Sequence, residues 1–192
     1  DFFKDLADVQ NSFRRFAALV PETGAVVYNR DDENTCAALE GVSRPMLSFG
    51  LSEGDVHTKN LVYEGGMGRF ELVFRGETLG KIALRVPGEH NVKNALAAAG
   101  ASLFLQAPFA AVREGLESFT GAGRRFERKG TFRGAEVFDD YAHHPQELQA
   151  LLSTTQSMDY KRVICAFQPH TYSRTKELFD QFAEVLKLPD QV

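Results

Sequence analysis

The sequence predicts an α/β protein built in two regions, and three observations point to it. Residues 56 to 86 hold the runs "NLVYE", "GRFELVF" and "KIALRV", split by the glycine-rich "GGMG" and "GETLG". Alternating, β-rich runs with such breaks read as a meander of antiparallel strands. Two helical stretches follow, "PGEHNVKNALAAAGASLFLQ" and "APFAAVREGLESF". After the glycine-flanked "TGAGRR" the pattern becomes strand, loop, helix, strand, loop, helix. That alternation implies parallel βαβ units.

Each element has its own justification. In "FFKDLADVQNSFRRFAALV" the apolar residues Phe2, Leu6, Val9, Phe13, Phe16 and Val20 recur near helical spacing, with charges between them. "PETG" turns the chain. "AVVYN" is a short strand, "RDDENTCAALEG" a helix ending at Gly41, and "PMLSFG" another strand. In the meander, Phe70, Leu72 and Phe74 share one face, and Arg69, Glu71 and Arg75 take the other. The small side chains after Asn94 imply close helix packing, and Pro108 sits near the start of the next helix. Glycines 121 and 123 mark a domain boundary, with 1–121 before it and 122–192 after it. Beyond it, "GAEVF" and "RVICAF" read as strands, and "PQELQALLSTTQ" and "TKELFDQFAEVLK" as helices.

Bulk properties exclude several classes. With 192 residues, of which 43% are hydrophobic, the chain can bury one large core or two small ones. The net charge of −4 and the mixed signs give no argument for nucleic acid. Cys36 and Cys165 lie far apart among apolar neighbours, which reads as two reduced core thiols in a cytoplasmic protein. No apolar run approaches the ~20 residues of a membrane span, and no signal peptide is visible. The sequence starts on Asp1 and ends on "LKLPDQV", where another strand could begin, so a piece of a longer protein is expected.

The chemistry concentrates in two loops. "DDYAHHP" (residues 139–145) and "QPHTYSRT" (168–175) each follow a strand and precede a helix. In an open parallel sheet such loops lie at the carboxyl ends of the strands, where ligands bind. Pro145 pushes His144 out of helical geometry and suits the first helical position. The helix therefore starts beside the histidines, and its free N–H groups favour an anion. Asp139 and Asp140 could instead serve hydroxyl or amine donors, or the whole loop could be turn and capping residues. A metal is the weaker reading. Adjacent histidines in an extended loop point to different sides, and no H-x-x-x-H or C-x-x-C spacing occurs. In the second loop, Thr171 or Ser173 can cap the next helix, while Arg174 offers a planar fork to a phosphate or carboxylate. Arg124 and Arg125 are either a solvated doublet or a polyphosphate clamp at the hinge. His90 and Asn94 share one helix face, fit for a nucleobase edge, or His90 and Asn91 cap that helix.

The motifs "PGEHNVKNALAA", "GAGRRFERKG", "VFDDYAHHPQE" and "FQPHTYSRT" appear in order and with fitting gaps, after "FFKDLADVQNSFRRFA" and "YNRDDEN". Together they resemble the Mur ligases over essentially the whole chain. "FQPHTYSRT" favours the branch that joins L-alanine to UDP-N-acetylmuramate over the murein-tripeptide recycling ligase, with which "DDYAHHP" is shared. The resemblance implies residues 1–121 as the C-terminal part of a P-loop-type central ATPase domain with a small antiparallel sheet. It implies residues 122–192 as the first half of a Rossmann-like parallel domain. The P-loop pattern G-x-x-x-x-G-K-[ST] does not occur in these residues. The phosphate-cradling lysine, the main Mg2+ ligands and most of the uridine site are thus expected elsewhere, and the 192 residues alone are expected to be inactive.

The resemblance also implies an ATP-dependent route through an acyl phosphate. Carried over, His90 and Asn94 would contact adenine, Arg125 with Arg124 the ATP phosphates, and Asp140 the nucleotide. His143 and Arg174 would face the muramoyl substrate and the incoming alanine, with His144 beside them. Thr171 departs from members that carry arginine there, which puts one anionic contact in doubt. The rival reading is a nucleotide-binding module that never had a P-loop.

Overall fold

The computed structural model describes residues 3–192. Phe2, the first apolar position of the expected opening helix, lies outside them. The chain divides into two compact units. One comprises the chain up to Val62, Arg69–Ala83 and Asn91–Glu117; the other comprises Tyr63–Gly68, Leu84–His90 and Ser118–Val192.

In the first unit, helix α1 (Leu6–Ala17) is capped by Asp5, whose carboxylate accepts the Asp8 N–H at 2.8 Å. Its expected apolar stripe is exposed: Leu6, Phe13 and Phe16 face solvent, and Ala17 is the buried residue. The polar face instead meets α2 (Glu33–Leu39). There Arg14 donates to the carbonyls of Ala37 at 2.8 Å and Glu40 at 3.2 Å, satisfying the orphan acceptors of that helix end. Asp32 caps α2 through the Thr35 N–H at 2.6 Å. Cys36 is exposed, contrary to its expected core position, and its thiol donates to the Arg30 carbonyl. Ala38 is the buried residue of α2. Cys36, two positions away, is rotated roughly 200° from it at 3.6 residues per turn.

Five strands form one sheet in the order β1-β2-β3-β4-β5: Val26–Asn29, Met46–Phe49, Val56–Glu64, Met67–Phe74 and Glu77–Pro87. β1 and β2 pair in parallel, as do β2 and β3. The last three strands are joined by two-residue turns, Gly65-Gly66 and Arg75-Gly76, and all four residues have positive φ. Such primed turns match the strand twist of antiparallel hairpins. The loops are therefore shorter than expected: Met67 and Gly68 belong to β4, and Glu77–Gly80 to β5. Phe70 and Leu72 are buried as the alternation required, but Val73 on the other face is buried too. Helices α3 (Glu89–Phe104) and α4 (Phe109–Ser118) follow. Leu47, Val56, Leu72, Ile82, Val92 and Leu96 form the fully buried centre.

In the second unit, β6 (Glu127–Phe132) pairs antiparallel with β7 (Ala135–Asp139) around the turn Arg133-Gly134. β6 was not expected. "ERKGTF" is polar, and a bulge at Arg128/Gly130 breaks its period. α5 (Pro145–Gln156) lies where predicted. "RVICAF", expected as a full strand in a βαβ unit, makes one parallel bridge, Ile164 to Gln191. Its amides are taken by residues 190 and 191: Cys165 N–H donates to the Gln191 carbonyl at 2.8 Å and Val163 N–H to the Asp190 carboxylate at 2.7 Å. The last predicted helix starts early, at Tyr172, and is interrupted at Leu178 into α6 (Tyr172–Glu177) and α7 (Phe179–Val185). Leu148, Leu152, Phe182 and Val185 form this unit's core, with Cys165 and Phe167 packed against it.

Candidate functional site

The arginine turn and the "DDYAHH" loop are stitched together residue by residue. Arg124 and Phe126 both have positive φ, a conformation costly for residues with a side chain. Hydrogen bonds hold it. The Arg124 N–H donates to Glu127 Oε2 at 2.8 Å, and the Arg124 carbonyl accepts the Tyr141 N–H at 2.9 Å. Asp140 binds with both oxygens: Oδ2 accepts the Phe126 N–H and Oδ1 the Ala142 N–H, each at 2.7 Å. The Arg124 guanidinium lies over the Tyr141 ring, 4.6 Å from its centroid, with Nε 3.7 Å from Asp139 Oδ2. A cation over an aromatic face is held by the ring quadrupole.

The histidine pair leads into α5. His144 is the N-cap with extended backbone, Pro145 is the first helical residue, and a capping box with Glu147 closes the turn. His144 Nδ1 accepts the Gln146 N–H at 3.4 Å. Glu147 Oε2 accepts the N–H groups of His143 at 2.9 Å and His144 at 3.2 Å. Glu147 thus holds the two amides just before the first helical residue, while His144 Nδ1 takes the Gln146 amide inside the first turn. His143 Nδ1 lies 2.8 Å from the Tyr141 carbonyl, and its ring is edge-on to Tyr141 and 6.4 Å from the His170 ring. Partial burial alone would raise the Glu147 carboxyl pKa. The His143 amide and imidazole, the His144 amide and Arg125 together hold it below its ordinary 4.5.

His90 belongs to the same unit. Its ring packs over Gly88, whose φ is +98°. Loss of solvation lowers the His90 pKa; Asp140 opposes that shift and Arg125 adds to it. Arg125 and Asp140, from two other motifs, therefore both lie within electrostatic reach of His90. Asn94, also on α3, is exposed and its amide bonds Asn91 Oδ1 at 3.3 Å; it is counted with the first unit.

A cavity of about 880 Å³ in the second unit is lined by Arg124, Phe126, Asp140, Tyr141, His143 and His170, among others. Arg125, His144 and Arg174 are not among its lining residues. Arg174 is half-buried inside α6. Thr171 takes the N-cap position of α6 with φ +66° but caps with no side-chain bond, and Ser173 lies within the helix. Sequence reasoning missed Glu147 as a hub of this site, and missed Tyr141 as the seat for Arg124. Glu147 carried a readable signal, its place three residues after an N-cap. Among the described residues no group of three or more His, Cys, Asp or Glu is arranged to hold a metal ion. No helix among them is long and apolar enough to cross a membrane.

Comparison with known proteins gives a consistent result. Residues 1–102 match the Mur ligase middle domain and residues 124–192 the Mur ligase, glutamate ligase domain. A UDP-N-acetylmuramate–L-alanine ligase of Clostridium novyi is 45% identical over 95% of this chain, which covers 40% of that protein. The enzyme of the same name from Salinibacter ruber is 46% identical over 95% of the chain and 39% of its own length. The chain thus spans about two fifths of the curated relatives it matches. Among solved structures, the UDP-N-acetylmuramate–alanine ligase MurC of Thermotoga maritima superposes with a TM-score of 0.77 at 27% identity, over 98% of this chain and 42% of that one. MurF of Acinetobacter baumannii shares the fold, with a TM-score of 0.83 at 22% identity, over 97% of this chain and 42% of that one.

Proposed function

The chain belongs to the Mur ligase family, and from that premise we propose that it is part of an ATP-dependent ligase joining L-alanine to the carboxylate of UDP-N-acetylmuramate. One observation carries the nucleotide part of the reading: Arg125 and Asp140, from two other motifs, both lie within electrostatic reach of His90 in one unit. The alanine specificity is supported by the relatives named for that reaction. The reading implies a cytoplasmic enzyme of peptidoglycan precursor synthesis.

The reaction runs in two steps. A muramoyl carboxylate oxygen attacks the γ-phosphorus of ATP, ADP leaves, and an acyl phosphate forms. The alanine nitrogen then attacks the acyl carbon, an amide C–N bond forms, and phosphate departs with the C–O electron pair. Catalysis of this kind rests on positioning and charge neutralisation. Arg124 and Arg125 supply positive charge to the phosphates. Asp140 spends one lone pair of each oxygen on a backbone amide and keeps the others for nucleotide hydroxyls. His90 and Asn94 contact adenine; loss of solvation lowers the His90 pKa, which favours the ring with an acceptor nitrogen. His143 and Arg174 face the muramoyl carboxylate and the alanine, with His144 orienting the loop between them. Mg2+ bound with the nucleotide would supply neutralisation of the phosphate charge. Among the described residues no group of three or more His, Cys, Asp or Glu is placed to hold it.

The test is ADP release by the full-length protein with UDP-N-acetylmuramate and either L-alanine or the murein tripeptide. Release that depends on L-alanine is expected. Turnover with tripeptide alone would replace this reading by the recycling ligase, and nucleotide binding without turnover would leave a binding module.

A further inference from the structure

We propose that Glu147 is a positioning residue that sets both the imidazole of His143 and the guanidinium of Arg125 from one carboxylate. The inference rests on the roles given to those two residues above and adds a residue to which no role in the reaction has been given. Oε2 accepts the His143 and His144 amides and lies 3.5 Å from His143 Nδ1; Oε1 lies 3.9 Å from Arg125 Nη1. An ordinary capping box needs one bond from this carboxylate to the N-cap amide. Here the same group also reaches an imidazole and an arginine delivered by a different motif.

The geometry fixes the tautomer of His143. Nδ1 faces two groups, the Tyr141 carbonyl at 2.8 Å and the Glu147 carboxylate at 3.5 Å, and both can only accept. Nδ1 therefore carries the proton and Nε2 keeps its lone pair. In the second step the alanine nitrogen forms the C–N bond, Nε2 takes the surplus N–H proton, and phosphate leaves with the C–O electrons. The imidazolium so formed is stabilised by the carboxylate beside Nδ1. Glu147 touches no substrate; it acts through His143 on the amine and through Arg125 on the phosphates.

Glu147→Gln in the full-length enzyme tests this. Glutamine keeps the chain length and one acceptor oxygen, so the cap survives while the charge and the arginine pair are lost. The expected result is a nearly unchanged melting temperature, kcat lowered on the order of tenfold and a several-fold higher KM for ATP. The kcat effect should largely vanish in a His143→Ala background, because a residue acting through another is non-additive with it. Unchanged kinetics, or a kcat loss that adds fully to His143→Ala, overturns the proposal and leaves Glu147 a helix cap. The wild-type rate with L-alanine separately tests the functional reading. Should wild type not turn over, calorimetric ATP affinity and the His143 ring-nitrogen chemical shifts of the same variants still decide. Values identical to wild type in Glu147→Gln overturn the positioning role.

Discussion

The carboxylate of Asp140 accepts the backbone N–H of Phe126 at 2.7 Å, joining the loop after β7 to the arginine turn before β6. Its second oxygen holds Ala142 N–H at the same distance. Asp140→Ala strands two donors in a half-buried loop and frees a backbone held at positive φ. We expect it to lower stability by about 1–3 kcal/mol without any ligand. Asp140→Asn, which keeps one acceptor oxygen, should lose less. Thermal melting of both variants checks this. A carboxylate that only touched nucleotide would leave the unliganded melting temperature unchanged.

Gly88 is where His90 is seated. A Cβ there would lie 2.6 Å from His90 Cε1 and 2.7 Å from Thr154 Oγ1, at a φ of +98°. Gly88→Ala therefore combines backbone strain of about 1–2 kcal/mol with displacement of the imidazole. ATP KM should rise in the full-length enzyme. Gly134→Ala is the control: φ is +84°, with open space around it. It should cost stability alone and leave ATP KM as it was.

What was legible in the sequence followed the physics that sequence carries. Pro145 announced the start of α5, and the glycine-rich "GGMG" and "GETLG" announced the breaks between the meander strands, because proline restricts and glycine frees the backbone directly. The spacing in α1 gave the helix but not its surroundings: it shows that Leu6, Phe13 and Phe16 share a side, not what meets that side, and all three are exposed. β6 stayed hidden because its bulge at Arg128/Gly130 breaks the alternation on which a strand is recognised. In the site, the loop residues 139–144 could be singled out by type. The stitching of Arg124 to Tyr141, and of Glu147 to Arg125, depends on tertiary placement that no local pattern records.

Tyr160 ties the β6–β7 hairpin to the end of α5. Its hydroxyl donates to Glu136 Oε2 at 2.7 Å, and Arg128 Nε donates to the other oxygen at 2.8 Å. Loss of solvation, the hydrogen bond to Glu136 and that carboxylate's charge push the Tyr160 pKa from 10.0 to about 12. The folded state thus favours the protonated phenol. Its contribution is fully present below pH 10 and is lost as pH rises towards about 12. In a tyrosinate absorbance titration, Tyr160→Phe should remove a late-titrating phenol. A variant that instead removes a component near the ordinary value of 10.0 would contradict the bond.

Two helix glycines should respond to alanine with opposite signs. Alanine is better than glycine in a helix interior by about 1 kcal/mol, and Gly115 in α4 has nothing within 4 Å of a built Cβ. Gly115→Ala should therefore raise the melting temperature. Gly100 in α3 faces the sheet, where a Cβ would sit 2.9 Å from Val56 Cγ2 and 3.2 Å from Leu47 Cδ2. Both of those side chains are fully buried, at 0% exposure, so neither can swing aside. Overpacking of a tight core costs about 1–3 kcal/mol, which exceeds the helix gain. Gly100→Ala should lower the melting temperature although it improves helix propensity. A rise instead would mean that α3 can lift from the strands, and that the close approach set by its small residues does not hold the sheet.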